Sequence, residues 1–121
     1  MMREKKILVC DDDQGILEML ELLLDDDGYA VVLEPNSVNA LKTIEREQPD
    51  LILLDNYIGT VEAADVMKEI RTVEHLRTIP FILCSGHADI SSIAADISAT
   101  AYLEKPFDLA ELYASIDRIL I

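Results

Sequence analysis

The sequence is poor in basic residues and has no long apolar run. Lys and Arg total 10 against 24 Asp and Glu in 121 residues, which gives a formal net charge of −14. Because this charge repels phosphates, we expect no nucleic acid partner for the chain. No apolar run approaches the roughly 18 residues of a transmembrane helix, and the N-terminal segment has no signal-peptide core. We therefore expect a cytoplasmic protein that does not enter the membrane.

The sequence also lacks the patterns of zinc, redox and dinucleotide sites. Its two cysteines, Cys10 and Cys84, lie in separate apolar runs, without CxxC spacing or paired histidines. Free cysteines in such runs are typically buried and behave as small hydrophobic side chains. No glycine-rich loop follows the first apolar run, which argues against dinucleotide binding.

What the sequence contains is an alternation of apolar strands and amphipathic helices. Near its middle, residues 50–55 place four consecutive aliphatic side chains between two aspartates, which is typical of a strand buried on both faces. A helix is predicted after each of five strands. The predicted strands cover residues 5–10, 29–33, 51–55, 80–84 and 100–104. The alternation predicts one α/β domain over residues 1–121, with a doubly wound parallel sheet and five helices.

Helix-end signals and one loop complete this prediction. Gly28 is expected to end the first helix, and the second is expected from about Val38 to Glu47. Asp108 with Glu111 forms a capping-box pattern at the start of the last helix. Residues 56–61 are predicted to be a loop. Because the last helix reaches the end of the sequence, we expect no output domain.

Polar side chains follow four of the predicted strands. Asp11 and Asp12 come after the first strand, Asp55 after the third, Ser85 after the fourth and Lys105 after the fifth. The carboxyl ends of parallel strands meet at one edge of a sheet, where ligands bind in open α/β folds. Each residue alone has an ordinary explanation as a helix-terminal acid, a turn residue or a surface charge. Their shared position predicts a common crevice.

The chemistry of these residue types suits phosphoryl transfer. Three carboxylates in one crevice repel one another, and an oxygen-ligated cation such as Mg²⁺ would neutralise Asp11, Asp12 and Asp55. One of the carboxylates can then act as a nucleophile on a phosphoryl group. The cation, the Lys105 ammonium and the Ser85 hydroxyl would share the phosphoryl oxygens.

In their order and intervals, four motifs resemble the receiver domain of two-component response regulators. They are Val9-Cys-Asp-Asp-Asp13, Leu53-Leu-Asp55, Ser85-Gly86 and Lys105-Pro-Phe107. The resemblance extends from Lys6 to the last helix and implies a flavodoxin-like fold with strand order 2-1-3-4-5. In that order Cys10 and Cys84 lie two strands apart, too far for a disulfide.

The resemblance also implies a role for each site residue. Asp55 would accept a phosphoryl group from the phosphohistidine of a sensor histidine kinase or histidine phosphotransfer protein. The Tyr57 backbone carbonyl would join the acidic pair as a Mg²⁺ ligand. Ser85 and Lys105 would hold the phosphoryl group. A protein of this kind catalyses only its own phosphorylation and dephosphorylation, as a monomer or weak dimer.

Switching and signal lifetime are implied at four side chains. When Ser85 binds the phosphoryl group, Tyr102 would change rotamer and repack the surface of the fourth helix, fifth strand and fifth helix, where a downstream protein is expected. Tyr57 and His87 occupy the places of a gate on water access. Crowding by these rings would prolong the phosphorylated state, a neutral His87 acting as a base would shorten it, and rings that simply face solvent would do neither.

Two departures and two alternatives accompany this interpretation. Gly59 and Ala63 stand where receiver domains usually have Pro and Gly. A haloacid-dehalogenase-like phosphatase is the enzyme alternative, because Asp11-Asp12-Asp13 contains its Asp-x-Asp spacing, but Gln14-Gly15 stands where that family prefers Thr or Val. A non-phosphorylated receiver-like interaction module is the second alternative. It would have lost an acid, the lysine or the acceptor, and this chain keeps them all.

Overall fold

Five parallel strands form the main sheet. The computed structural model describes residues 4–58, 61–86 and 88–120, apart from the side chains of residues 37, 57, 58 and 61. In chain order, the strands of the main sheet and of a second, two-stranded sheet are β1 (Lys6–Cys10), β2 (Ala30–Glu34), β3 (Leu51–Asp55), β4 (Tyr57–Ile58), β5 (Val61–Glu62), β6 (Phe81–Ser85) and β7 (Ala101–Glu104). The main sheet has the order β2-β1-β3-β6-β7, and β4 and β5 form a separate antiparallel pair. Counted within the main sheet this order is 2-1-3-4-5, so the predicted doubly wound, flavodoxin-like fold is confirmed.

Helices cover both faces of this sheet. They are α1 (Gln14–Asp26), α2 (Ala40–Glu47), α3 (Ala63–Ile70), α4 (Ile90–Asp96) and α5 (Leu109–Leu120). The helices α1 and α5 pack on one face, and α2, α3 and α4 pack on the other. Within the described ranges, no helix is both long enough and apolar enough to cross a bilayer.

Two cores form because successive residues of a strand point to opposite faces of the sheet. In β3, Leu51 and Leu53 face α1 and α5, whereas Ile52 and Leu54 face the other three helices. All four side chains are at most 1% exposed. A strand covered on both faces needs an apolar residue at every position, which explains the unbroken aliphatic run.

The helix ends follow the sequence signals in part. Gly28 has φ +93 after the end of α1, and Asp108 Oδ1 accepts the Glu111 N–H at 2.8 Å, so both predicted ends are confirmed. The predicted start of α2 at Val38 is two residues early. Asn36 Oδ1 accepts the Val38 N–H at 3.0 Å, and a short 3-10 turn precedes the α-helix.

The prediction of a plain loop at residues 56–61 is wrong in part, because a short hairpin lies there. In this hairpin Tyr57 pairs with Glu62 across β4 and β5. Asn56 is 5% exposed, and its carbonyl accepts the Ala63 N–H at 2.7 Å at the start of α3. Strands of two residues are too short to show an alternating pattern in a sequence.

Candidate functional site

Four strands bring polar side chains to the carboxyl edge of the main sheet. Asp11 follows β1, Asp55 ends β3, Ser85 ends β6 and Lys105 follows β7. The parallel registers of β1 with β3, of β3 with β6 and of β6 with β7 keep these strand ends at one level. The predicted site residues of these four strands therefore meet at one edge.

Lys105 joins two of the carboxylates. Its Nζ donates to Asp11 Oδ2 at 2.8 Å and to Asp55 Oδ1 at 2.9 Å. Asp11 is held at two further atoms, because its N–H donates to the Glu34 carbonyl at 3.3 Å and its Oδ1 accepts the Asp13 N–H at 2.9 Å. Asp11 is only 4% exposed, and the Lys105 ammonium supplies the counter-charge that a buried carboxylate requires.

Asp11, Asp12 and Asp55 form an acidic cluster. One carboxylate oxygen from each lies within 4.8 Å of the others, with Asp11 buried, Asp55 partly buried and Asp12 exposed. A single ammonium cannot neutralise three carboxylates, so the cluster retains negative charge. Mg²⁺ takes one or two carboxylates, keeps several waters and binds phosphate oxygens. The donor set of the acidic cluster therefore fits this ion.

Burial and charge shift the pKa values of Asp55 and Lys105. Burial raises the pKa of the Asp55 carboxyl; the hydrogen bond from Lys105 opposes this rise and the charge of Asp11 adds to it. Burial lowers the pKa of Lys105, but hydrogen bonds to Asp11 and Asp55 outweigh burial and raise it overall. Lys105 is thus a cation at neutral pH, beside acids whose excess negative charge a further cation would offset.

Ser85 and Tyr102 lie on the adjacent strands β6 and β7. Ser85 is 5% exposed, and its carbonyl accepts the Lys105 N–H at 2.8 Å. Tyr102 is 46% exposed and lines an open groove of about 880 Å³ between α4, β7 and α5. The predictions for the Tyr57 side chain and for His87 fall outside the described residues.

Two acidic residues near this edge were missed in the sequence analysis. Glu34 ends β2, is 7% exposed and accepts the Thr43 hydroxyl at 2.6 Å. Asp13 Oδ1 accepts the Ile16 N–H at 3.1 Å and caps α1 directly after the acidic pair. The position of Asp13 before an amphipathic helix was a usable capping signal. Nothing in the sequence signals the burial of Glu34, because it depends on α2 packing over the end of β2.

Comparison with known proteins assigns the family. A family model of the response regulator receiver domain matches residues 7–117. The chain belongs to the response regulator receiver family. Receiver domains act in phosphorelay signalling, where they interact with histidine kinases or phosphotransfer proteins, and they are generally not enzymes with separate substrates.

This receiver domain is similar to two kinds of bacterial relative. It is 27% identical over 119 residues to sporulation initiation phosphotransferase F of Bacillus subtilis, covering 98% of this chain and 96% of that protein. It is 32% identical over 116 residues to the alkaline phosphatase synthesis transcriptional regulatory protein PhoP of the same species, covering 96% of this chain and 48% of that protein. The chain thus spans about half the length of the transcriptional regulators that it matches.

Solved structures agree with the family assignment. A putative response regulator from Chloroflexus aurantiacus is 32% identical, with a TM-score of 0.88 and 98% of each chain covered. The receiver domain of a sensor histidine kinase from Pseudomonas aeruginosa, crystallised with a magnesium ion coordinated in its active site cleft, is 28% identical with a TM-score of 0.87, covering 97% of this chain and 98% of that one. Nothing in these matches supports the dehalogenase-like phosphatase or the non-phosphorylated module.

Proposed function

We propose that Asp55 of this receiver domain accepts a phosphoryl group in a Mg²⁺-dependent reaction. The observation that carries the proposal is the position of its carboxylate, in the acidic cluster at the end of the central strand and 2.9 Å from the Lys105 Nζ. Asp11 is a poorer acceptor, because it is 4% exposed and both of its carboxylate oxygens accept hydrogen bonds. Asp55 is partly exposed, so a donor can approach it.

In the proposed transfer, an Asp55 oxygen attacks the phosphorus of a donor phosphohistidine. The P–O bond forms as the P–N bond breaks, and the electron pair of that bond leaves with the imidazole nitrogen, which takes up a proton. The Lys105 ammonium balances charge on the phosphoryl oxygens, and the Ser85 hydroxyl binds one of them. No other side chain has to change its covalent state.

Asp11, Asp12, Asp55 and the Tyr57 backbone carbonyl are the proposed ligands of Mg²⁺. When bound, the ion supplies positive charge beside the phosphoryl oxygens. The chain itself contributes a fixed first acid, because Asp11 is held by backbone hydrogen bonds and by Lys105. The capping bond of Asp13 to α1 fixes the turn in which this pair lies.

The proposed response to phosphorylation runs through Ser85 and Tyr102. A phosphoryl group adds roughly −1.5 to −2 charge and new acceptor oxygens near the end of β6. Movement of the Ser85 hydroxyl toward them would let the Tyr102 ring, now 46% exposed, turn inward and reshape the groove between α4, β7 and α5. Tyr57 and His87 remain the proposed tuners of signal lifetime, with crowding of the attacking water favoured over base assistance.

We further propose how the domain is used. Residues 1–121 act as one cytoplasmic domain that promotes only its own phosphorylation and dephosphorylation, as a monomer or weak dimer. The donor is a sensor histidine kinase or a histidine phosphotransfer protein, which the similarity to phosphotransferase F supports. The signal passes to a protein at the groove rather than to nucleic acid, given the net charge of −14.

Acetyl phosphate and intact mass measurement test the acceptor. With Mg²⁺ present, we expect the wild type to gain one phosphoryl group and Asp55→Asn to gain none. Asp65→Asn, at an exposed acid in the first turn of α3, is the matched control and should behave like the wild type. Chelation of Mg²⁺ should abolish the gain. Equal labelling of Asp55→Asn and the wild type would place the acceptor elsewhere.

A further inference from the structure

A buried carboxylate lies beside the acidic cluster and has no part in the proposed transfer. Glu34, at the end of β2, is 7% exposed. Its Oε1 accepts the Thr43 hydroxyl at 2.6 Å, and its Oε2 accepts the Asn36 N–H at 3.0 Å. Both oxygens of this side chain are therefore held by hydrogen bonds within the chain.

Strand pairing places Glu34 next to the first acid of the cluster. Cys10 is its partner in the register of β1 with β2, and the Asp11 N–H donates to the Glu34 carbonyl at 3.3 Å. Neighbouring strands lie about 4.8 Å apart. The backbones of Glu34 and Asp11 are therefore in direct contact, and only the lengths of the side chains separate the Glu34 carboxylate from the acidic cluster.

The hydrogen-bond donors that hold Glu34 are neutral. They are a hydroxyl and a backbone N–H, and none of the ion pairs formed between described residues includes Glu34. Lys105, the ammonium at this edge, binds Asp11 and Asp55. A buried charge without a cation is costly, and a cation bound in the acidic cluster would offset part of that cost.

We propose that Glu34 is a positioning residue that tightens Mg²⁺ binding in the acidic cluster through its charge. The carboxylate acts through its charge alone, and the Glu34 carbonyl, which accepts the Asp11 N–H, is unchanged by substitution of the side chain. Glu34 itself touches neither the ion nor the reacting atoms. The inference rests on the proposed function, because it requires Mg²⁺ at Asp11, Asp12 and Asp55.

Calorimetric titration of the whole chain with Mg²⁺ at low salt, without a phosphodonor, tests the proposal. Glu34→Gln is expected to bind Mg²⁺ about threefold more weakly, and the difference should shrink at high salt. Thr43→Val removes a hydrogen bond of the same network but keeps the charge, so its stability should fall while its Mg²⁺ affinity stays unchanged. Asp50→Asn removes a carboxylate at the opposite edge of the sheet, where Asp50 accepts the Lys6 N–H at 2.7 Å, and its affinity should also stay unchanged.

Phosphorylation by acetyl phosphate gives a second readout. Glu34→Gln should be slower than the wild type at limiting Mg²⁺ and equal to it at saturating Mg²⁺, because Glu34 acts through the ion. Equal Mg²⁺ affinities for Glu34→Gln and a wild type that binds the ion would overturn this inference alone. So would a loss of affinity in Thr43→Val as large as that in Glu34→Gln. A wild type that binds no Mg²⁺ would overturn the proposed function together with this inference.

Discussion

The helices α1 and α4, which follow two of the strands that end at the site, differ in the capping of their first turns. The helix α1 follows the acidic pair, has 13 residues and is capped by Asp13, whose Oδ1 accepts the Ile16 N–H at 3.1 Å. The helix α4 follows the strand that ends in Ser85, has 7 residues, and its N-cap residue Asp89 makes no capping bond through its side chain. The acids thus precede a long, capped helix, and the hydroxyl precedes a short one.

The last turns of α1 and α4 share one backbone pattern but not one residue type. In each, the N–H two residues past the C-cap bonds back to a carbonyl of the last helical turn, at 3.1 Å for α1 and 2.9 Å for α4. The residue in between has positive φ, +93 at Gly28 and +57 at Ser98. Glycine adopts this conformation freely, whereas a residue with a Cβ pays about 1–2 kcal/mol.

The side chain of Arg71, directly after the end of α3, compensates for these weaknesses of α4. Arg71 donates through Nη2 to the Ile97 carbonyl at the C-cap of α4, at 2.6 Å, and its guanidinium lies 5.7 Å from the centre of the Phe81 ring. The ends of α1 are therefore closed by hydrogen bonds local to that helix, whereas the end of α4 also uses a tertiary contact. Hydrogen exchange should accordingly open α4 before α1, which suits a helix beside the proposed switch surface.

Cysteine reactivity tests whether the strands before α1 and α4 also differ in local stability. Cys10 precedes the acidic pair and Cys84 precedes Ser85, and they lie in opposite cores. Burial, more than any neighbouring charge, raises the pKa of each thiol to about 12. At pH 8 we expect both thiols to react at least about 100-fold more slowly in the native protein than in urea. Fast native labelling of Cys84 alone would show that the weakness of α4 extends to β6.

The raised pKa values of Cys10 and Cys84 predict that the protein loses stability at alkaline pH. The thiols ionise near pH 9.0 when unfolded and near 12 when folded, so the folded state binds more protons between these values. Their contribution to stability is complete below pH 9 and declines as pH rises toward 12. Urea midpoints from pH 8 to 11 measure the decline, and a variant with Cys10→Ala and Cys84→Ala should lose this part of it. An identical decline in that variant would refute the cause.

Substitution of Arg71 is expected to increase the difference in exchange protection between α1 and α4. Arg71→Ala loses a charge-assisted hydrogen bond and the contact with Phe81, together about 2 kcal/mol of unfolding free energy. Exchange protection should fall in α4 and stay constant in α1. Arg46→Ala is the control, because its partner Glu47 is a neighbour on the surface of α2 and little stability should be lost. Equal losses of stability in the two variants would mean that Arg71 does not stabilise α4.

Substitution of Gly28 should weaken α1 in the way that α4 is already weak. A Cβ at Gly28 would meet no atom within 4 Å, so the cost comes from the positive φ alone. Gly28→Ala is expected to lose about 1 kcal/mol, and Gly28→Asn less, because Asn tolerates this conformation better. Urea unfolding measures both variants. No loss in Gly28→Ala would mean that the turn relaxes to negative φ.

The sequence predicts the features that depend on spacing and not those that depend on a distant partner. Local patterns predict the aliphatic strand β3 and the end of α1 at Gly28. They also predict that Asp11, Asp55 and Lys105 lie at the carboxyl ends of strands. The buried bond of Glu34 to Thr43 has no such signal, because it forms only when α2 packs over β2. The bond of Arg71 to α4 likewise joins residues 26 positions apart. The positive φ at Ser98 was missed because serine does not require it.

The smallest effect is expected at Ser98, and it decides where the weakness of α4 resides. Ser98→Gly relieves a left-handed serine but gives the unfolded chain more freedom, so the net gain is about 0.5 kcal/mol. Ser91→Gly, at an exposed position inside α4, is the control and should lose about 0.5 kcal/mol. If Ser98→Gly stabilises the protein and raises exchange protection in α4 alone, the last turn is the weak point. A loss of stability would instead mean that the serine side chain contributes more there than its backbone conformation costs, and the two helices would then differ only at their first turns and through Arg71.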